Sequence, residues 1–156
     1  MAESLHNIAV ELGGTTMDRA VEKIAYVTQR HHLGDGAYCR WLWDSAKGGR
    51  NLGINEYGCA DAINILYTIG RLPKADDPMK AKMAAALLSL QKPDGSFTEP
   101  THHVLHTTAH CTAALQILDA EPFSREGVPS DFLKPYRTKE GLYRLLENLN
   151  WEGSPW

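Results

Sequence analysis

The chain has 156 residues, of which 43% are hydrophobic, so one globular domain over residues 1–156 is expected. Its net charge of −3 argues against a general nucleic-acid-binding protein, which would carry a basic face. No stretch is long and apolar enough to cross a membrane. The cysteines, Cys39, Cys59 and Cys111, lack CxxC spacing, which favours free thiols, a reducing compartment and therefore a cytoplasmic protein.

The first half of the chain predicts two helices joined by a long loop. An amphipathic helix is expected from Thr15 or Thr16 to about His31, because apolar residues recur there at helical spacing. Residues 55–71 predict a second helix, which is apolar around most of its circumference and should therefore be buried. The glycine-rich loop at 33–54 carries aromatic residues that could bind sugar rings or apolar ligands, or could equally pack over the helices: Tyr38, Trp41 and Trp43.

The second half predicts three more helices. Asp77 and Pro78 provide an N-cap followed by proline at the first position, so an amphipathic helix is expected over residues 78–91. Residues 104–118 contain no Asp, Glu, Lys or Arg, which predicts an inner helix covered by its neighbours on most sides. After a loop at 120–137, a last amphipathic helix is expected over residues 138–149.

The two helices that are predicted to be buried belong to similar parts of the sequence. A helix that ends near a glutamine, followed by Asp-Gly and an aromatic residue, occurs in VTQRHHLGDGAY (27–38) and in SLQKPDGSF (89–97). GCADAINILYTIGRLP (58–73) parallels TAHCTAALQILDAEP (108–122) at an offset of 49 residues, which is in the range of helical-hairpin repeats. Each repeat then consists of one outer helix, a loop and one inner helix, and such repeats bury their apolar faces by stacking.

The second repeat carries the motif that is most specific for an architecture. Gln91, Asp94, Gly95, Ser96 and Phe97 precede a helix that contains Thr108, Ala109, Ala113, Ala114 and Leu115. This motif resembles the repeats of the prenyltransferase and terpenoid-cyclase family of α/α-toroid proteins, over about residues 15–150. The resemblance implies an all-α fold of α/α hairpin repeats forming a partial toroid, with glutamine side chains joining hairpins.

About two and a half hairpins are expected here, whereas complete rings of this kind contain more. The resemblance therefore implies a partial ring, a truncated piece of a longer chain with further repeats, or one part of a homo-oligomeric ring. Because the sequence ends after an outer helix, we expect further repeats beyond Trp156.

Two polar groups of residues lie on the segments that line the pocket in the toroid family: His102, His103, His106 and His110 in the first, and Glu56 and Asp61 in the second. Three of these histidines are spaced four residues apart, so they share one helix face if the helix starts early enough. The predicted catalytic residues are His106 or His110 as acid or base, with Glu56 or Asp61 as the carboxylate partner. His102 and His103 are expected to contact the substrate.

Two other interpretations of these residues remain open. His106, His110 and Asp61 could bind a metal ion, with Cys59 or Cys111, but the sequence lacks HExxH and paired CxxC spacing, so no metal or other cofactor is assigned. Alternatively, the histidine and threonine side chains hydrogen-bond to backbone carbonyls between stacked hairpins.

The functional hypothesis is an enzyme, or an enzyme fragment, with a central cavity lined by histidines and carboxylates. Its substrate would be a prenyl or terpenoid compound, which predicts an apolar and aromatic pocket, or a glycan, which predicts carboxylates and an exposed tryptophan at the mouth. The alternative is a non-catalytic binding or scaffold module built from helical hairpin repeats.

Overall fold

The structure, a computed structural model, describes residues 16–44, 46, 48–122 and 131–153. This part of the chain is mostly helical: it contains five α-helices, one 3-10 helix and a two-stranded sheet. The all-α class is therefore confirmed at this coarse level. Residues 123–130 of the loop expected at 120–137 lie outside the described residues, and the expectation of a loop is wrong for Asp131–Arg137, which form a 3-10 helix.

The first two helices begin where the sequence predicts. Helix α1 spans Met17–Arg30, and the Thr16 hydroxyl accepts a hydrogen bond from a backbone N–H of its first turn. Helix α2 spans Glu56–Thr68, and the Asn55 side chain accepts hydrogen bonds from two backbone N–H groups of its first turn. Both N-caps satisfy backbone donors that a helix leaves without internal partners.

The loop expected at 33–54 begins with a small β-hairpin. Strand β1, His32–Gly34, pairs antiparallel with strand β2, Ala37–Tyr38. Asp35 and Gly36 form the turn with φ values of 46° and 76°, as a two-residue hairpin turn requires. The Asp-Gly pair predicted the turn, but the expectation of a loop throughout is wrong, because strands this short show no periodicity.

Three further α-helices follow: α3 at Pro78–Leu88, α4 at Val104–Ile117 and α5 at Lys139–Asn148. A 3-10 helix at Asp131–Arg137 precedes α5. The ends agree with the predicted ones to within a few residues, which is the usual uncertainty of helix boundaries.

The start of α3 allows a direct test of helix capping. Asp77 accepts a hydrogen bond from the Met79 backbone N–H at 2.8 Å, and Pro78 follows it. We therefore expect Asp77→Ala to lower the free energy of unfolding by about 1 kcal/mol. Urea denaturation measures the change, with Asp76→Ala at the exposed neighbouring position as the control. An equal loss in both variants would show that the cap contributes nothing.

The core lies between α2, α3 and α4, and the contact between α2 and α4 is the most extensive of any two elements. α1 packs on α2, and α3 packs on both α2 and α4. The main buried side chains come from these helices and from the aromatic residue behind each Asp-Gly turn: Tyr38, Cys59, Ile63, Met83, Leu87, Phe97, Cys111, Leu115 and Leu118. The three cysteines are buried and free.

The two helices predicted to be buried, α2 and α4, are covered on most sides, but each leaves part of its surface exposed. The exposed residues are Asp61, Ile65, Tyr67 and Thr68 on α2, and His106, Ala109, Ala113 and Gln116 on α4. The absence of charge on α4 does not require burial all round, because alanine, histidine and glutamine can all stand at a surface without a large energetic cost.

The outer helices also keep part of their apolar stripes exposed within the described residues. On α1, Ile24 is 42% exposed and Val27 is 43% exposed. On α5, Leu142 is 47% exposed and Leu146 is 45% exposed. These stripes are amphipathic as predicted, but the described helices cover them incompletely.

The two segments that are similar in sequence make the same kind of contact. In each, the backbone of the aromatic residue after the turn is hydrogen-bonded to a side chain of the following helix. The Phe97 backbone N–H donates to the Thr108 hydroxyl at 3.0 Å, and this hydroxyl donates to the Phe97 carbonyl at 3.3 Å. The Tyr38 backbone N–H donates to the Cys59 sulfur at 3.4 Å, and the thiol donates to the Tyr38 carbonyl at 3.7 Å. Cys59 and Thr108 stand at the same position of the proposed repeat. Each inner helix thus holds the aromatic residue behind its own turn.

Gln91 makes contacts at both ends of α4, whereas the resemblance implies that this glutamine joins two hairpins. Its side-chain amide donates to the Gly95 carbonyl at 3.1 Å and to the Pro122 carbonyl at 3.0 Å. The side chain therefore joins the turn before α4 to the chain after α4, within one hairpin rather than between two.

No helix among the described residues has the length and apolarity that a membrane crossing needs.

Candidate active site

Helices α2 and α4 bring one predicted histidine and one predicted carboxylate together. His110 Nε2 lies 2.8 Å from Asp61 Oδ1, with side chains that are 25% and 51% exposed. A carboxylate oxygen accepts, so Nε2 donates and Nδ1 is the nitrogen left to exchange a proton. The pair is open enough for a substrate to approach.

A second histidine binds a carboxylate that the sequence analysis did not select. His102 Nδ1 lies 3.2 Å from Glu99 Oε2, and the Glu99 side chain is only 2% exposed. The same oxygen accepts from the Thr101 backbone N–H at 2.8 Å and from the Thr101 hydroxyl at 2.5 Å. Arg40 Nη1 lies 3.1 Å from Glu99 Oε1 and donates to the Thr101 hydroxyl at 2.9 Å. Glu99 is therefore the centre of a buried polar network.

This network keeps Glu99 ionised. Burial raises its pKa, but the hydrogen bonds from Thr101 and His102 and the charge of Arg40 together outweigh burial and lower the pKa to about 2. Glu99 thus provides a fixed negative charge beside His102 at any pH near neutrality.

Tyr57 connects the histidines. Its ring stacks on His110 at a centroid distance of 5.0 Å and lies 4.3 Å from the ring of His102. The ring of His106 meets it edge-on at 6.2 Å. The three histidines spaced four residues apart therefore face one tyrosine, although α4 begins only after His102. We call His102, His106, His110 and Tyr57 the histidine cluster.

The guanidinium group of Arg40 lies over two aromatic rings. Its guanidinium carbon is 4.9 Å from the centroid of Tyr57 and 4.9 Å from the centroid of Trp41. A guanidinium over an aromatic face is attracted by the ring quadrupole. Arg40 therefore connects the histidine cluster, Glu99 and the aromatic loop.

The other predicted catalytic and binding residues on the helices lie less centrally. Glu56 is the first residue of α2, and burial raises its pKa; none of the described contacts joins its carboxylate to a histidine. His103 caps α4, since its Nδ1 accepts from the Leu105 backbone N–H at 3.3 Å. His106 is exposed, and its described contacts are with the rings of Tyr57 and His102.

The three aromatic residues of the loop have three different environments. Tyr38 is 4% exposed and packs in the core, where burial raises its pKa. Trp41 is half-buried, with Arg40 on its ring and with Arg50 at 5.0 Å from its centroid. Trp43 is 67% exposed. Only Trp41 is linked by described contacts to the histidine cluster, through Arg40.

A cavity of about 160 Å³ opens beside this arrangement, between α1 and α2. Its lining includes Arg40, which contacts Glu99, and Asp61, which contacts His110. His31 and Cys39 are also part of the lining, and the His31 Nδ1–H donates to the Cys39 carbonyl at 3.0 Å. The cavity adjoins the histidine cluster, because Asp61 of its lining contacts His110 and Arg40 of its lining contacts Tyr57.

The ligand set considered for a metal ion does not come together. Within residues 16–44, 46, 48–122 and 131–153, no three His, Cys, Asp or Glu side chains are placed to hold a metal. Burial raises the pKa of the Cys59 and Cys111 thiols, which disfavours the thiolate that a metal would need.

Sequence reasoning overlooked Arg40, Tyr57, Glu99 and His31. A signal for two of them was present, since Arg40 stands two residues after Tyr38 and Glu99 stands two residues after Phe97. Opposite charges at equivalent places behind the two turns could have predicted their ion pair. Comparisons with family models, curated proteins and solved structures found no match to the chain.

Proposed function

We propose that the protein is an enzyme in which His110 and Asp61 perform general acid–base catalysis on a glycan. The observation that carries this proposal is the 2.8 Å hydrogen bond between His110 Nε2 and Asp61 Oδ1. Asp61 would hold the imidazole in one tautomer and stabilise it when charged, while Nδ1 takes and returns the proton. The imidazole suits this role because its charge changes near physiological pH.

The scaffold of this proposal is a partial α/α toroid. The packing of α1 on α2, of α3 on α2 and α4, and of α2 on α4 supports two stacked helical hairpins. The equivalent contacts of Cys59 with Tyr38 and of Thr108 with Phe97 support a repeated unit. In this arrangement Asp61 and His110 are the same repeat position on neighbouring inner helices.

The polar side chains beside the pair favour a glycan over a prenyl compound. Asp61 is half-exposed and lines the cavity together with Arg40 and His31. Carboxylates accept hydrogen bonds from sugar hydroxyls, and a guanidinium group donates to them. A prenyl chain would instead require a pocket without Arg40, Asp61 and His31 in its lining.

Asp61→Asn tests the proposal, because it keeps the shape of the side chain and removes its charge. Incubation with oligosaccharides of several linkages and charges, followed by chromatography of the products, should show turnover by the wild type and a loss on the order of 100-fold in the variant. Asp76→Asn, an exposed aspartate outside the site, is the control and should keep full activity. Equal turnover by both variants would refute the role of Asp61.

The second candidate is a non-catalytic binding or scaffold module. The partly exposed apolar stripes of α1 and α5 favour it, since such surfaces commonly mark contacts with other proteins or other copies. The same oligosaccharide panel separates the two candidates. Turnover supports the enzyme, whereas glycan binding without turnover, unchanged in Asp61→Asn, supports the binding module.

A further inference from the structure

The cavity between α1 and α2 has a mixed lining. Its apolar side chains include Val27 of α1 and Ala62 and Ile65 of α2. Its polar side chains include His31, Arg40 and Asp61. A ligand that fills this space must therefore present both hydrocarbon and hydrogen-bonding groups.

His31 is fixed in one orientation by two hydrogen bonds to the same residue. Its side-chain Nδ1–H donates to the Cys39 carbonyl at 3.0 Å, and its own carbonyl accepts from the Cys39 backbone N–H at 2.9 Å. Since a carbonyl cannot donate, the proton of the neutral ring is on Nδ1. Nε2 then has a lone pair, which makes His31 a hydrogen-bond acceptor that is already positioned.

Arg40 and Asp61 complement this acceptor. The described hydrogen bonds of Arg40 use Nη1, while a guanidinium has further N–H donors on Nη2 and Nε. The described hydrogen bond of Asp61 uses Oδ1, which leaves Oδ2 to accept from a ligand. The polar part of the lining thus offers two acceptor atoms, His31 Nε2 and Asp61 Oδ2, and the remaining N–H donors of Arg40.

We propose that this cavity is a binding subsite for a single pyranose ring, which would be one residue of the glycan. This proposal rests on the proposed function and specifies where one sugar is held. A pyranose has an apolar face of C–H groups and an edge of hydroxyl groups, so it matches a lining that combines apolar side chains with hydrogen-bonding groups. A volume of about 160 Å³ holds one six-membered ring but not a disaccharide.

The site predicts selectivity for the ring form of the sugar. An open-chain alditol has the same hydroxyl groups but no fixed apolar face, and cyclohexanol has the ring but only one hydroxyl group. Titration of the full chain with methyl hexopyranosides, followed by NMR or calorimetry, should show binding that neither control compound reproduces. Removal of the His31 acceptor in His31→Leu should weaken the binding about tenfold.

A second pair of variants keeps the test independent of the fold around His31. Ile65→Trp places a large ring in the cavity from a position that is 38% exposed, and it should abolish pyranoside binding. Tyr67→Trp, on the same helix but outside the lining and 61% exposed, is the matched control and should bind like the wild type. Equal binding by these two variants, or no pyranoside binding by the wild type, would overturn the subsite.

These outcomes are distinguishable from failure of the proposed function. If oligosaccharides are turned over while Ile65→Trp and Tyr67→Trp behave alike, the catalytic proposal stands and the subsite is refuted. If a pyranoside binds and Ile65→Trp abolishes the binding while no oligosaccharide is turned over, the subsite stands and the catalytic role of His110 is refuted. Methyl glycosides and longer oligosaccharides also separate a site for free monosaccharide from a site for one residue of a chain.

Discussion

Glu99→Gln is expected to lower the free energy of unfolding by about 3 kcal/mol, because it removes the charge at the centre of a buried network. The side chain of Glu99 is 2% exposed, whereas that of Arg40 is 25% exposed, so the arginine loses its partner but keeps some hydration. Urea denaturation near neutral pH measures the change.

Glu22→Gln is the matched control for this prediction. Glu22 also pairs with an arginine, Arg71, but these side chains are 66% and 52% exposed. Exposed pairs contribute at most about 1 kcal/mol, so this variant should resemble the wild type. If the two variants lost equal stability, the buried network would have no special energetic role.

The same variant also predicts how stability depends on pH. The pKa of Glu99 is about 2 in the folded protein, below its ordinary value of 4.5. Its lowered pKa therefore stabilises the protein above about pH 4.5, and this contribution is lost as the pH falls from 4.5 towards 2. Glu99→Gln lacks this contribution, so the difference between wild type and variant should shrink over that interval. A difference that stays constant to pH 2 would contradict the assignment.

Gly58→Ala is the second variant with a large expected effect, again of about 3 kcal/mol. A Cβ atom at this position would lie 2.6 Å from the carbonyl carbon of Cys39, 2.7 Å from the Tyr38 oxygen and 2.8 Å from the Arg40 nitrogen. All three are backbone atoms, so no side-chain rotation can relieve the contacts. Either α2 or the segment after β2 must move.

Gly70→Ala provides the comparison, since Gly70 has φ of 67° but no atom within 4 Å of a built Cβ. Backbone strain alone should cost about 1 kcal/mol there. Thermal or urea denaturation of both variants separates the clash from the strain, and a smaller loss for Gly58→Ala than for Gly70→Ala would show that the close approach is unimportant. Because the displaced segment carries Arg40, Gly58→Ala should also weaken pyranoside binding.

The starts of the helices could be predicted because each depends on a capping residue that directly precedes the helix in the sequence. Thr16, Asn55, Asp77 and Thr138 all accept hydrogen bonds from the first turns of their helices. The covered face of each helix could not be predicted in the same way, since it depends on which elements lie beside it. A helix without charges, such as α4, is compatible with burial but does not require it.

The candidate site, too, could be predicted from the sequence only in part. Asp61 and His110 could be predicted as neighbours from the sequence, because they are separated by 49 residues, the offset of the proposed repeat. Glu99 was not selected, because a carboxylate in a loop usually points to solvent and only the fold shows that it is buried. Tyr57 was not selected either, because the sequence of α2 is mostly apolar. Its ring contacts depend on the packing of α2 against α4, which the sequence does not show.

The sulfur atom of Cys59 distinguishes the contact of Tyr38 from the otherwise similar contact of Phe97 with Thr108. A thiol is a weaker hydrogen-bonding group than a hydroxyl, so Tyr38 is attached less firmly than Phe97. Cys39, the residue after Tyr38, provides the carbonyl that orients His31. A local opening of the chain is therefore expected to begin at Tyr38, beside the proposed pyranose subsite, before the contact between Phe97 and Thr108 opens.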